Sequence, residues 1–130
     1  MKTMKKVLIY TLILLMTISP ARVYAASPTH KVQYLGKFKL TAYCGCSSCS
    51  GKWGNKTASG TRAKADHTVA VDRKVISLGT KLKINGEDYK AEDVGGGVKG
   101  KHIDIYFKSH KEALEFGLKK NQKVYKVVKI

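Results

Sequence analysis

The stretch Ala91–Phe107, AEDVGGGVKGKHIDIYF, organises the rest of the chain. It places Asp93 and Asp104 on either side of a glycine-rich loop, residues 95–100, whose backbone can approach a ligand closely. Apolar and polar residues alternate on both flanks, which predicts a strand on each side. On this period Asp104 points away from the face that its apolar neighbours bury. Two such strands can hold two carboxylates beside one groove, an arrangement suited to acid–base chemistry.

The N-terminal segment has the three-part layout of a secretory signal peptide. A lysine-rich start precedes Val7–Ile18, an uncharged and mostly apolar run, and Val23–Ala25 ends the segment with an A-x-A-like site, after which cleavage is expected. The run is too short for a comfortable membrane span, although an uncleaved anchor is the alternative. We therefore expect a signal peptide at residues 1–25, a leader and first-strand start at 26–37, and one domain at 38–130.

The chain is strongly basic, with a formal net charge of +16 over 130 residues. Residues 26–130 keep 21 of the 25 Lys and Arg and all 9 Asp and Glu, so their net charge is +12. Outside a bacterial cell such a protein is drawn to anionic cell-wall polymers, whereas export argues against nucleic acid. Alternatively, the scattered lysines only solubilise a small domain. We expect a secreted, extracellular or wall-associated monomer.

Three cysteines, Cys44, Cys46 and Cys49, form the pattern C-x-C-x-x-C. One disulfide would leave a free thiol, and a metal site would need a fourth ligand, for which His67 is a candidate. The third possibility is a reduced surface loop. His67, His102 and His110 are expected at the surface rather than as ligands, and the reaction proposed below needs no metal or other cofactor.

Short strands joined by turns, with one helix, predict a mostly β protein built as a small closed barrel. The predicted strands are Val32–Tyr43 with a bulge at Gly36, Thr68–Val71, Lys81–Ile84, Glu87–Val94, Ile103–Phe107 and Lys123–Ile130. Asn85-Gly86 predicts a tight hairpin turn, and Ser109–Gly117 has the capping residues of a short helix. Trp53 is either a platform for stacking sugars or a cap on the core, and the core contact is favoured. No internal repeat is evident.

Six fragments in order resemble the 3D domain family, named for three aspartates that here match Asp72, Asp93 and Asp104. The fragments are Thr41–Tyr43 (TAY), Thr57–Gly60 (TASG), Val69–Asp72 (VAVD), Leu78–Thr80 (LGT), Ala91–Gly96 (AEDVGG) and Ile103–Tyr106 (IDIY). The match covers about residues 38–128. The family is similar to the catalytic domain of membrane-bound lytic transglycosylase A. The resemblance implies a six-stranded double-psi β-barrel that cleaves peptidoglycan glycan strands, with Asp104 as the catalytic aspartate.

The implied reaction breaks the β-1,4 bond between N-acetylmuramic acid and N-acetylglucosamine and leaves a 1,6-anhydro sugar. Because the C6 hydroxyl of the muramic acid is the nucleophile, one carboxyl group can act first as acid and then as base. We assign this role to Asp104. Desolvation and the like charge of Asp93 should raise the pKa of Asp104. Asp93 and Asp72 are the other expected catalytic residues; Asp72 either orients the site through hydrogen bonds or is only a structural cap.

The residues expected to bind substrate are donors around the predicted groove. They are Tyr43, Thr57, Ser59, Gly60, Gly95, Gly96 and Lys99. Two other functions stay open at this point. One is a wall-binding module without catalysis, since fold does not fix function. The other is a zinc or thiol-redox protein built on the three cysteines.

Overall fold

The computed structural model describes residues 30–130, and these residues form six strands and two short helices. The strands are β1 (His30–Tyr43), β2 (Thr68–Val71), β3 (Lys81–Ile84), β4 (Glu87–Asp93), β5 (His102–Tyr106) and β6 (Lys119–Lys129); the helices are α1 (Ser47–Ser50), followed by a 3-10 turn at Gly51–Trp53, and α2 (His110–Phe116). The predicted signal peptide, residues 1–25, lies outside the described residues. Within residues 30–130, no helix is both long and apolar enough to cross a membrane.

The strands close into a barrel in the order β1-β5-β2-β4-β3-β6. The β1–β5 and β2–β4 pairs are parallel, and the other four pairs are antiparallel. Exchanging β1, β2 and β3 for β4, β5 and β6 leaves both this order and every pair type unchanged. The barrel therefore has the pseudo-twofold topology of two interlocked halves. The predicted class, a mostly β six-stranded double-psi barrel with one short helix, is confirmed, and the single-turn helix α1 was not predicted.

The barrel interior is filled by alternating apolar side chains from all six strands, as strand periodicity requires. Its members include Phe38, Leu40, Val69, Val71, Leu82, Ile84, Ala91, Ile103, Ile105 and Val124, each at most 3% exposed. Residues between these on β2 and β5 face outward. The outer face of β2 and β5 is consequently the place where polar chemistry can be held without disturbing the core.

Local signals in the sequence account for the turns. Asn85 and Gly86 have φ values of 51° and 83°, as a two-residue type I′ turn requires. Ser109 caps α2, because its side chain accepts a hydrogen bond from the Glu112 amide at 3.2 Å, and Gly117 ends the helix at φ 65°. The predicted bulge in β1 is present, since the register with β6 shifts between Tyr34 and Gly36.

Two predicted strands differ clearly from the structure, β6 in its first residue and β1 in its burial. β6 begins at Lys119 rather than Lys123, because it pairs with β1 along most of its length. The first half of β1 was expected to bury one face, but Val32 and Tyr34 are 46% and 51% exposed. This half forms a two-stranded ribbon with β6, in which the rings of Tyr34 and Tyr125 pack with centroids 5.2 Å apart.

Candidate active site

A single row of residues crosses four neighbouring strands on the outside of the barrel. Thr41 on β1 is the register partner of Asp104 on β5, which pairs with Ala70 on β2, which pairs with Asp93 on β4. The two aspartates therefore flank the small side chain of Ala70. With strands about 4.8 Å apart, their Cα atoms are about 10 Å from each other. The sequence expectation that both carboxylates border one groove is met, but the intervening strand is β2.

A β-bulge brings Asp93 into this row. Val69 pairs with Ala91, yet Ala70, the next residue, pairs with Asp93, so Glu92 is the extra residue on β4. Regular alternation would have kept Asp93 on the same face as buried Ala91. The bulge instead directs Asp93 outward, which is a common use of bulges beside functional sites. Glu92 turns away from the row and is 5% exposed, where it accepts a hydrogen bond from Thr68 at 2.8 Å.

The Asp93 carboxylate accepts three hydrogen bonds. The Tyr43 hydroxyl donates to Oδ2 at 2.8 Å, while the amides of Ala58 and Val94 donate to Oδ1 at 3.0 and 2.9 Å. Burial and the nearby Asp93 raise the pKa of Tyr43, so the phenol stays a donor at neutral pH. Asp93 thereby connects the end of β1, the loop at residues 57–61 and the end of β4.

Asp104 has fewer hydrogen-bond partners than Asp93. Burial is the main cause that raises the pKa of its carboxyl; the Thr41 hydrogen bond and His102 lower it, and the charge of Asp93 raises it slightly. The direction is the one expected for a general acid, and desolvation contributes more than the like charge. The Thr41 hydroxyl lies 2.9 Å from Asp104 Oδ1 and 2.7 Å from His102 Nε2.

The hydrogen-bond chain through Thr41 suits both protonation states of Asp104. His102 Nδ1 donates to the Gly97 carbonyl oxygen at 3.1 Å, so only Nε2 can vary its role. When Asp104 is a carboxylate, the Thr41 hydroxyl donates to it. When Asp104 is protonated, Thr41 can accept from the carboxyl and donate to Nε2. Sequence reasoning missed both Thr41 and His102, and His102 is half-buried rather than a surface residue.

An open cleft of about 490 Å³ lies over the row, within the size range of small-molecule sites. Both aspartates and Ala70 line it, together with Tyr43, Cys49, Ser50, Trp53, Gly54, Lys56, Thr57, Ala58, Val94, Gly95 and Gly96. Four of the predicted substrate-binding residues thus line the cleft. They are Tyr43, Thr57, Gly95 and Gly96.

The other predicted binding residues, Ser59, Gly60 and Lys99, do not line the cleft. Ser59 lies in the turn behind Thr57, and its hydroxyl is 3.0 Å from that of Thr57, which gives it a supporting position. Gly60 has φ 86°, which closes the same turn. Lys99 is exposed beyond the cleft, on the side of Asp72.

Asp72 also lies outside the cleft. Its carboxylate accepts hydrogen bonds from the amides of Gly100, at 2.8 Å, and Lys74, at 3.0 Å, and these bonds lower its pKa. Gly100 is the last residue of the glycine loop. The geometry therefore agrees with an orienting role for Asp72 and gives it no contact with a substrate in the cleft.

The favoured interpretation of Trp53 as a core residue is wrong. Its side chain is 64% exposed and lines the cleft. Trp53 is the last residue of the 3-10 turn, and its ring lies outside the barrel core. The other interpretation, a platform on which sugars stack, agrees with this position.

The three cysteines gather around a histidine, but not around the expected one. His110 lies beside all three thiols, whereas His67 points to Glu92, with 3.6 Å between Nε2 and Oε1. None of the cysteines forms a disulfide. The thiol hydrogen bond from Cys44 lowers the pKa of Cys46 to about 6, and burial raises that of Cys44 to about 11.

Comparison with known proteins identifies relatives of this chain. The model of the 3D domain family matches residues 67–128. YabE of Bacillus subtilis (strain 168), named for cell wall shaping, is 39% identical over 95 residues, 70% of this chain and 22% of YabE. The cell wall-binding protein YocH of the same organism is 40% identical over 52 residues, 39% of this chain and 18% of YocH. The chain spans about a fifth of the length of these curated relatives.

The barrel is also similar to solved structures of the Escherichia coli lytic transglycosylase MltA. The structure with bound chitohexaose has 27% identity and a TM-score of 0.50, over 57% of this chain and 28% of MltA. An apo form has 28% identity and the same TM-score of 0.50, over 58% of this chain and 27% of that one. The resemblance to the 3D domain family is therefore confirmed.

Proposed function

Because residues 67–128 match the model of the 3D domain family, we propose that this protein is a secreted lytic transglycosylase of bacterial peptidoglycan. It cleaves the β-1,4 bond between N-acetylmuramic acid and N-acetylglucosamine and forms the 1,6-anhydro sugar. The observation that carries the proposal is Asp104, a largely desolvated carboxyl group with a raised pKa that faces an open cleft. Similarity to a lytic transglycosylase with a bound chitohexaose supports a glycan in this cleft.

Asp104 acts twice in the proposed mechanism. Its protonated form gives a proton to the glycosidic oxygen as the bond to C1 breaks. The resulting carboxylate then takes the proton of the C6 hydroxyl, which attacks C1 of the same sugar. The hydrogen bond from Thr41, 2.9 Å from Oδ1, stabilises the carboxylate between the two steps. No second carboxylate is required as a nucleophile, in contrast to retaining glycosidases.

Asp93 supplies fixed negative charge on the other side of Ala70. Positive charge develops at the anomeric carbon as the bond breaks, and a preorganised carboxylate stabilises it. The three donors to Asp93 hold that carboxylate in place before substrate arrives. Asp72 orients the site more remotely, through its hydrogen bond to Gly100 at the end of the glycine loop.

The remaining cleft residues bind the glycan. Trp53 offers an exposed ring for stacking, and Thr57 and the backbone of Gly95 and Gly96 border the same space. The net charge of +12 in residues 26–130 draws the protein to anionic wall polymers. Export through the signal peptide at residues 1–25 would bring it to that substrate.

Product analysis tests this function. The full-length chain is incubated with purified peptidoglycan, and soluble products are identified by mass spectrometry. We expect anhydro-muropeptides from the wild type and none from Asp104→Asn, which keeps the shape but lacks the proton donor. Asp88→Asn is the matched control, because that aspartate is exposed on the β3–β4 hairpin, 2.9 Å from Lys83 Nζ.

The second candidate is a wall-binding module without catalysis, favoured by the similarity to YocH, a protein named for wall binding. Co-sedimentation with peptidoglycan and no released sugar would select this function. Ordinary reducing ends would instead indicate a hydrolase, which would contradict the intramolecular step assigned to Asp104.

A further inference from the structure

We propose that Cys44, Cys46, Cys49 and His110 bind one zinc ion, which fixes a wall of the cleft. The four potential ligand atoms all lie within 4.8 Å of one another. They come from two distant parts of the chain, since His110 is at the first turn of α2 and the cysteines follow β1. The cluster shares no residue with the aspartate row, so it adds a second functional site.

Four of the five distances among these atoms agree with a tetrahedron around a metal to within about 0.4 Å, and only the Cys44–Cys46 edge is markedly shorter. Zinc–sulfur bonds of about 2.3 Å and zinc–nitrogen bonds of about 2.0 Å give S–S edges of about 3.8 Å and S–N edges of about 3.5 Å. The Nδ1 atom of His110 lies 3.9, 3.5 and 3.4 Å from the sulfurs of Cys44, Cys46 and Cys49. The Cys44 sulfur is 3.6 Å from that of Cys49 and 3.0 Å from that of Cys46.

The donor set selects zinc and a structural role. Three sulfurs and one imidazole nitrogen make a Cys₃His set, which is typical of closed structural zinc sites. All four tetrahedral positions come from protein, so no position is open for a water or substrate. The loop also has the tight turn that such ligands need, because the Cys46 carbonyl accepts hydrogen bonds from the amides of Cys49 and Ser50 at 3.2 and 2.9 Å.

The metal would fasten the loop that forms one side of the cleft. Cys49, Ser50, Trp53 and Gly54 line the cleft immediately after the cysteine turn. The loop buries little, since Cys44 is the one buried residue of 44–53 and neither short helical turn contains a buried side chain. A cross-link from this loop to α2 therefore supplies order that packing does not.

Metal analysis tests the proposal without reference to glycan cleavage. The full-length chain is purified from cells grown with zinc, and its metal content and free thiols are measured. We expect one zinc ion per chain and no disulfide. Exchange of zinc for Co²⁺ should give the near-ultraviolet absorption of cobalt–thiolate bonds. A disulfide with one remaining thiol, or a chain that retains no zinc, would overturn the proposal.

His110→Gln examines the fourth ligand, and His67→Gln is the matched control. Both histidines are exposed, so neither change should prevent folding. Loss of residues that only support metal ligands weakens binding by about 10- to 100-fold, so loss of a direct ligand should cost about 100-fold or more. Equal zinc affinity in the two variants would exclude His110 as a ligand and refute the Cys₃His site.

The effect of the zinc ion on the cleft rests on the proposed function, and it is measured separately from metal content. Removal of zinc with a chelator should make residues 45–54 susceptible to protease and should weaken glycan binding. A protein that holds zinc but cuts no peptidoglycan would leave the metal site intact and refute only the transglycosylase assignment. Unchanged proteolysis of the loop after zinc removal would contradict the structural role.

Discussion

Replacing Asp93 by alanine should destabilise the domain, whereas replacing Asp104 by asparagine should not. Asp93 accepts hydrogen bonds from two other segments, through the Tyr43 hydroxyl at 2.8 Å and the Ala58 amide at 3.0 Å. A hydrogen bond to a charged group contributes about 1.5–3 kcal/mol, and partial exposure places these two near the lower limit. Their combined loss should lower the free energy of unfolding by about 3 kcal/mol.

Thermal unfolding measures this effect. For a domain of about 100 residues, 1 kcal/mol corresponds to about 4–8 °C, so Asp93→Ala should lower Tm by about 12–24 °C. Asp93→Asn should lower it less, because the amide oxygen can still accept from one donor. If Asp93→Ala melted within about 2 °C of the wild type, the carboxylate would not hold these segments together.

Asp104→Asn should keep or raise stability at pH 7, in contrast to its loss of activity. The folded-state pKa of Asp104 is raised, mainly by burial, above the unfolded value of about 3.9. Between these two values the native state binds more protons than the unfolded state, so stability falls as pH rises through this window. The asparagine variant does not lose stability in this way, because it has no titrating carboxyl group at position 104. A variant less stable than wild type at pH 7 would show that ionised Asp104 is stabilised by the fold.

Three further changes examine single features of the site and the barrel. Thr41→Val removes a bond that lowers the pKa of Asp104, so the alkaline limb of the cleavage–pH profile should move to higher pH, and Thr41→Ser should restore it. Trp53→Ala should weaken glycan binding about fivefold, the equivalent of about 1 kcal/mol of stacking, while Leu114→Ala, 68% exposed on α2, should leave binding unchanged. Gly86→Ala should cost about 1 kcal/mol in urea unfolding, because φ is 83° and no atom lies within 4 Å of the added Cβ, which leaves backbone strain as the cause.

Local sequence signals were sufficient to predict most of the fold. Alternation located the strands because each strand of the barrel has one face in the core, as at Ile103 and Ile105 beside Asp104. The Asn85-Gly86 turn and the Ser109 cap depend on neighbouring residues alone, and both were predicted. Burial was predicted wrongly for the first half of β1, because its alternating side chains lie in the ribbon with β6, outside the core.

The site was less predictable because its geometry depends on contacts between distant residues. His110 reaches cysteines more than sixty positions earlier, and the pattern C-x-C-x-x-C does not indicate which histidine is near. Thr41 lies beside Asp104 only through the parallel β1–β5 pair. The bulge at Glu92 reverses the direction that simple alternation gives Asp93. No local signal in the sequence marks that bulge.

The pseudo-twofold symmetry of the barrel shows that the row departs from symmetry at its centre, where it holds one carboxyl group instead of two. The exchange of β1–β3 with β4–β6 maps β2 onto β5, so Ala70 is the counterpart of Asp104. It also maps Thr41 onto Asp93, since each is the parallel-strand partner of a central residue. A symmetric row would hold two acids as direct cross-strand neighbours, about 5 Å apart, and their charges would repel. Alanine in place of the second acid removes this repulsion, and it suits the proposed reaction, whose nucleophile belongs to the substrate.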